Sequence, residues 1–119
     1  MIRRLFGVMG VLPLTVLMLG CTGPDNSEYA QKVLPIAEAR CAKCHLDDNK
    51  RGDFSLERHK TVMKGGKSGA AVVPGDASAS LLYQVVSGAH PTLRMPKTGD
   101  PLSDEEIGVI KAWIDGGAL

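Results

Sequence analysis

The segment CAKCH, at residues 41–45, limits what this chain can fold into more than any other feature. Two cysteines separated by two residues and followed at once by a histidine can hold a metal ion, exchange a disulfide or attach a haem. Each of these chemistries needs a different protein around it. The rest of the sequence therefore decides which of them Cys41, Cys44 and His45 perform.

The N-terminal end of the chain has the layout of an export signal. Arg3 and Arg4 precede an apolar run from Leu5 to Leu19 that contains no acidic residue. The run is shorter than the roughly 20 residues that a membrane-spanning helix needs, and Pro13 interrupts it. We therefore predict a signal peptide at residues 1–20 that is removed on export, rather than a retained membrane span.

The residues that end this run, LMLGC, resemble the lipobox of bacterial lipoproteins, in which a small residue precedes a cysteine that becomes acylated. Gly20 and Cys21 match that pattern. The resemblance implies lipidation of Cys21, a tether over residues 21–27 and attachment to the periplasmic side of a bacterial membrane. The mature chain has twelve Lys and Arg against thirteen Asp and Glu, so its charge does not indicate nucleic-acid binding.

Apolar spacing and capping residues predict an all-α domain over residues 28–119, with about four short helices and long loops. The first helix begins near Glu28 and reaches CAKCH, with a kink or a second start at Pro35. The second is predicted after Ser55 and the third after Asp76. Glycines mark their ends, and the apolar face of the third is formed by Leu81, Leu82, Val85 and Val86.

The last helix has the clearest signals in the chain. Ser103 and Glu106 form an S-x-x-E capping box, and Gly116 marks the end of the helix. Leu102 and Ile107 are spaced as a hydrophobic staple. The predicted buried stripe consists of Ile107, Ile110, Trp113 and Ile114. No alternating run is long enough to predict a strand.

Haem attachment is the interpretation of CAKCH that the rest of the sequence favours. C-x-x-C-H is the c-type pattern, in which the thiols bind the haem covalently and the histidine binds the iron. This attachment takes place outside the cytoplasm, in agreement with the export signal. Zinc needs a fourth ligand, for which the sequence offers only His59 and His90, each placed singly. A redox dithiol follows a strand, and none is predicted before Arg40.

A haem iron bound by His45 takes a second axial ligand, whose identity sets what the protein does. Met95 stands before Pro96, which disfavours a helical backbone and places the thioether in an extended loop. Met63 falls in a helical pattern, where core packing is the simpler role. We therefore predict His45 and Met95 as iron ligands, with an open site or one of the two other histidines as alternatives.

The chain resembles the planctomycete-type cytochrome c domain, a class I cytochrome c. The segments that carry the resemblance are CAKCH, MKGGKSG at 63–69, VPGD at 73–76, SLL at 80–82, LRMP at 93–96, LSDEEI and WIDGGA. The resemblance implies a cytochrome c fold wrapped around one covalently attached haem, held by Cys41, Cys44, His45 and Met95. It also implies a role in electron transfer, so we expect a protein that relays single electrons between redox proteins and is not an enzyme; a monomer is assumed.

Two other classes of function stay open at this point. If Met95 is displaceable or does not bind, the haem would serve as a sensor for small ligands. If CAKCH holds zinc instead, the chain would be a metal-stabilised interaction domain.

Overall fold

The computed structural model of the protein describes residues 25–46 and 51–119. Within these ranges the chain is helical, and its only bridge between extended residues is the isolated one joining Gly66 and Gly69. The all-α prediction is therefore confirmed. The predicted signal peptide and the lipidated Cys21 lie outside the described residues. None of the helices in the described ranges is both long and apolar enough to cross a membrane.

The first helical region consists of three consecutive pieces: a π-helical turn, Tyr29–Val33, then α1, Leu34–Arg40, and α2, Ala42–His45. Pro35 lies in the first turn of α1, where its missing N–H leaves no helical hydrogen bond unmade. The π turn precedes it, and the Leu34 N–H closes that turn on the carbonyl of Tyr29. The predicted change of helix at Pro35 is therefore confirmed.

Helix α3 spans His59–Lys64, which is shorter than predicted because Ser55 does not cap it. The backbone N–H of Leu56 instead donates to the carbonyl of His45 at 2.8 Å, and Arg58 at the N-cap is extended, with φ −144°. This contact with the first helical region keeps the segment before His59 out of the helix. The helix ends at Gly65, whose φ of 76° reverses the chain, as predicted.

Helix α4 spans Leu81–Ser87 and also begins later than predicted. The carboxylate of Asp76 accepts hydrogen bonds from the Ser78 hydroxyl and the Ala79 N–H, at 2.7 and 3.2 Å. Asp76 thus closes a separate turn, and the fully buried Ser80 takes the N-cap position. Gly88 ends the helix with a left-handed φ of 80°, as predicted.

Helix α5 spans Asp104–Asp115 and confirms the predicted capping box. The Ser103 hydroxyl accepts from the Glu106 N–H at 3.1 Å, and the Glu106 carboxylate accepts from the Ser103 N–H at 2.9 Å. Gly116 follows the helix as its C-cap. Of the predicted stripe, Ile107 is half-buried and the others are buried: Ile110, Trp113 and Ile114.

An aromatic cluster formed by Tyr29, His59 and Trp113 joins the first helical region to α3 and α5. Its ring centroids lie between 5.2 and 6.3 Å apart. Each ring also bonds a backbone carbonyl: Tyr29 donates its hydroxyl to residue 56 at 2.6 Å, and Trp113 donates its indole N–H to residue 119 at 2.8 Å. His59 Nε2 lies 2.6 Å from the carbonyl of residue 118. The polar atoms of this core are therefore satisfied internally.

Candidate functional site

The CAKCH segment forms one tight helical turn. The N–H groups of Cys44 and His45 both lie 3.1 Å from the carbonyl of Cys41. Leu46 then leaves the helix with an extended backbone, at φ −120° and ψ 160°. Both cysteines are free thiols and are half-buried. Two thiols and an imidazole are thus presented from a single turn, which is the arrangement that two thioether bonds to one macrocycle require.

The imidazole of His45 is oriented by the segment that follows the CAKCH turn. Its Nδ1 lies 3.1 Å from the carbonyl of Phe54, and the Phe54 ring meets the imidazole edge-on at 5.5 Å. Because a carbonyl oxygen only accepts, this contact favours a proton on Nδ1. The lone pair on Nε2 is then free for a metal, and a backbone carbonyl on the other ring nitrogen is a usual partner of a ligating histidine.

An apolar cleft opens beside this turn, and we divide it into an inner and an outer part. The inner part is lined mainly by apolar side chains, as cofactor sites usually are. The outer part leads from it towards residues 96–100. Cys41, His45 and Met95 line both parts. The apolar wall of the inner part is formed chiefly by Phe54, Leu56, Leu81, Leu82, Val85 and Val86.

Met95 lies in a bend after α4, where it is half-buried and packs against the core. Its backbone N–H donates to the carbonyl of Val85 at 3.0 Å, which ties this bend to the last turn of α4. The peptide bond between Met95 and Pro96 is cis. The structure therefore brings Met95 to the cleft that His45 lines, although these two residues are fifty positions apart in the sequence.

The other candidate iron ligands lie elsewhere. Met63 is half-buried on α3 and packs against the core. His59 belongs to the aromatic cluster. His90 caps its own loop, where its Nδ1 accepts from the N–H groups of Thr92 and Leu93 at 3.2 and 2.9 Å. None of these three residues lines the cleft.

The Cys41 thiol is half-buried where it lines the cleft. Burial raises the pKa of the Cys41 thiol to about 11, and the nearby charges of Cys44 and Glu106 act in the same direction. Cys41 is therefore a neutral thiol at neutral pH. In the described ranges no three His, Cys, Asp or Glu side chains are grouped as metal ligands. The thiols, the oriented imidazole and the apolar walls fit a covalently attached haem.

Sequence reasoning missed two contacts that position the site. One is the carbonyl of Phe54, a backbone atom that has no side-chain signature. The other is an ion pair 3.1 Å long between Arg40 Nε and Glu106, which links the residue before Cys41 to the first turn of α5. The sequence predicts Glu106 only as a capping residue, because its ion pair with Arg40 joins distant parts of the chain.

Comparison with known proteins adds a family to this geometry. Residues 41–99 match the family described as Planctomycete cytochrome C. No curated protein and no solved structure matches the chain. The matched segment begins at Cys41 and includes Met95, so it contains all the cleft residues predicted to hold a haem. Such a domain implies covalently bound haem c and a haem-based role in electron transfer. The chain therefore carries a planctomycete-type cytochrome c domain.

Proposed function

We propose that this protein is a monohaem c-type cytochrome that relays single electrons outside the cytoplasm, with His45 and Met95 as the two iron ligands. The observation that carries the proposal is that both residues line one apolar cleft beside the thiols of Cys41 and Cys44. The sequence contains one C-x-x-C-H segment, which supports a single haem.

Each part of the cleft has a distinct role in this proposal. When bound, the haem supplies an iron that accepts and releases one electron. Cys41 and Cys44 hold it covalently, and the carbonyl of Phe54 keeps the imidazole of His45 in one orientation. The wall formed by α4 excludes water. Met95 contributes a neutral sulfur, and a His/Met pair raises the potential, so the protein would accept electrons readily.

We further propose that the protein is a monomer held on the periplasmic side of a bacterial membrane by acylation of Cys21. The support is the LMLGC sequence. Two acyl chains suffice for stable membrane attachment. Its partners would then be redox proteins that meet it at that membrane. Radiolabelled fatty acid should appear on the parent and not on Cys21→Ser, and equal labelling of both would refute the anchor.

The experiment that tests the electron-transfer proposal is a redox titration of protein made with haem-maturation machinery. We expect haem that stays with the chain on a denaturing gel, one iron per chain, and a reversible one-electron transition. Cys41→Ser/Cys44→Ser should carry no covalent haem. A colourless protein that contains zinc would refute the proposal. A reduced form that binds carbon monoxide readily would favour the sensor function instead.

A further inference from the structure

The inner part of the cleft is apolar except at one edge, where it is lined by two cations. These are Arg51 and Lys67, and the hydroxyl-bearing Ser68 lies beside them. No Asp or Glu is among the residues that line this part of the cleft. A cavity with apolar walls and a cationic edge is complementary to a ligand that has an apolar body and an anionic edge.

This edge, which we call the basic edge and define as Arg51, Lys67 and Ser68, is built from two short segments. One is the 3-10 turn Arg51–Asp53, and the other is the glycine-rich hairpin at 65–69. The Lys67 N–H donates to the carbonyl of Gly52 at 2.8 Å, which docks the hairpin on the turn. A Cβ at Gly66 would lie 2.6 Å from that carbonyl oxygen, so a glycine is needed for this contact.

Neither cation of the basic edge forms a strong ion pair with another residue in the described parts of the chain. Lys67 Nζ lies 3.8 Å from the carboxylate of Asp53, but both side chains are more than 70% exposed. Such a surface pair is worth little, so it leaves Lys67 available to a ligand. Arg51 is exposed and forms no ion pair with another described residue.

The outer part of the cleft has a different charge pattern. Arg40 and Lys97 line it, but so do Glu38 and Asp100. Arg40 is already paired with Glu106 at 3.1 Å. Arg51 lines both parts, but only in the inner part does it lie among lining residues that include no acid. The outer part therefore offers a weaker site for an anion than the basic edge does.

Haem is an apolar macrocycle with two carboxylate side chains on one edge. We propose that Arg51 and Lys67, assisted by Ser68, bind these carboxylates, so that the carboxylate edge of the haem lies against the glycine-rich hairpin. This inference rests on the proposed function and adds to it which edge of the cleft receives the anionic groups. Arginine suits the role because its guanidinium can donate two parallel hydrogen bonds to one carboxylate.

The proposal has a measurable consequence for the reduction potential. A cation beside the haem disfavours the oxidised iron, which carries one more positive charge than the reduced iron. Removing Arg51 or Lys67 should therefore lower the potential. Replacing Arg51 by lysine, or Lys67 by arginine, should leave the reduction potential close to that of the parent.

The test is a spectroelectrochemical titration of the matured, haem-containing protein at one pH and low ionic strength. We compare Arg51→Gln, Lys67→Gln and the double variant with the charge-keeping Arg51→Lys and Lys67→Arg. Lys97→Gln serves as a control at the outer part, and Lys60→Gln as a control on the exposed face of α3. Each Gln variant of the basic edge should raise the ratio of oxidised to reduced protein about threefold at a fixed applied potential.

The double variant should raise that ratio about tenfold, which corresponds to ~59 mV for one electron. Both charge-keeping variants and Lys60→Gln should stay close to the parent. A lower yield of haem incorporation in the Gln variants alone, with the charge-keeping variants at the parent's yield, would also support binding at this edge.

Two results would overturn the proposal while leaving the proposed function intact. In the first, Arg51→Gln and Lys67→Gln shift the potential no more than Lys60→Gln. In the second, Lys97→Gln gives the largest shift, which would place the carboxylates at the outer part. A parent protein with no one-electron transition would instead overturn the proposed function, and this inference with it.

Discussion

The two sides of this molecule are held together in different ways. On one side the aromatic cluster packs ring against ring, and its polar atoms bond to backbone carbonyls. On the other side the CAKCH turn, α4 and the bend at Met95 face an apolar cleft. Tyr29 has no exposed surface, whereas the cleft-lining Leu93 is 39% exposed. The first side is closed by contacts among its own side chains, whereas the second borders an open cleft whose α4 wall is buried and whose rim at Leu93 is exposed.

This difference explains how so few aromatic residues suffice for the domain. Tyr29 and Trp113 both belong to the aromatic cluster, and they are the two largest fully buried side chains among the described residues. Phe54 lies at the cleft. A bound haem would supply the missing apolar surface on that side. The stability of the cleft side should therefore depend on the haem, and that of the aromatic side much less.

The largest effect should follow from removing the haem. In Cys41→Ser/Cys44→Ser we expect loss of most of the about 5–15 kcal/mol by which such domains are stable, since a small domain with few aromatic residues loses the apolar contacts that the haem would make with it. Any remaining protection from hydrogen exchange should lie around the aromatic cluster rather than in α4. Cooperative unfolding near the temperature of the parent would contradict this dependence.

The next largest effect should come from the aromatic side itself. Trp113→Ala should lower the free energy of unfolding by about 3–5 kcal/mol, because Trp113 is 2% exposed and contacts two other rings. Chemical denaturation of the haem-containing protein measures this loss. The absorption spectrum should stay that of the parent, and a changed spectrum would show that the two sides are not separate in the way we describe.

Leu82→Ala tests the cleft side in the same way. Leu82 is 7% exposed and lines the cleft, so its truncation should cost about 2–4 kcal/mol in the haem-containing protein. Unlike Trp113→Ala, it should also shift the haem spectrum or the potential, because it opens space for water beside the haem. A loss of stability with neither spectroscopic nor redox change would argue against haem contact at α4.

The smallest effect should come from the ion pair that links the two sides. The backbone N–H of Ser103 and then Arg40 hold the pKa of Glu106 below its usual range. A lowered folded-state pKa stabilises the fold above the unfolded-state pKa of about 4.3, and this stability is lost as pH falls through the folded-state value. Glu106→Gln keeps the capping geometry and should cost up to about 1 kcal/mol at pH 7.

That cost should shrink as pH falls through the lowered folded-state pKa of Glu106, where the parent carboxylate also becomes protonated. Lys111→Gln removes an exposed pair with Asp115 on the same helix and is the matched control, with a smaller change in the free energy of unfolding. Urea denaturation at several pH values measures both variants. A cost of Glu106→Gln that does not fall as the parent carboxylate becomes protonated would rule out the charge as its cause.

Features encoded within a few residues could be predicted from the sequence. The capping box of α5 is such a feature, since Ser103 and Glu106 satisfy each other locally. The spacing of Cys41, Cys44 and His45 is another, because one helical turn carries all three. Met95 was selected from its neighbour Pro96 and does lie at the cleft.

Features that depend on contacts between distant segments could not be predicted. Helix α3 begins after the predicted point because the Leu56 N–H is bonded to His45, eleven residues earlier. The carbonyl of Phe54 beside the imidazole and the pairing of Arg40 with Glu106 have the same origin. Propensity and periodicity describe local preference, and these contacts are decided by how the segments pack.

The central claim is that the iron lies between His45 and Met95, and the absorption spectrum of the oxidised protein tests it most directly. The parent should show the weak long-wavelength band that methionine sulfur gives to oxidised haem iron, and Met95→Ala should lose it together with a lower potential. Met63→Ala should keep the band and cost less than the about 2–5 kcal/mol of a fully buried methionine, because Met63 is half-buried. A parent protein without the band, with a spectrum typical of two histidines, would contradict the assignment of Met95.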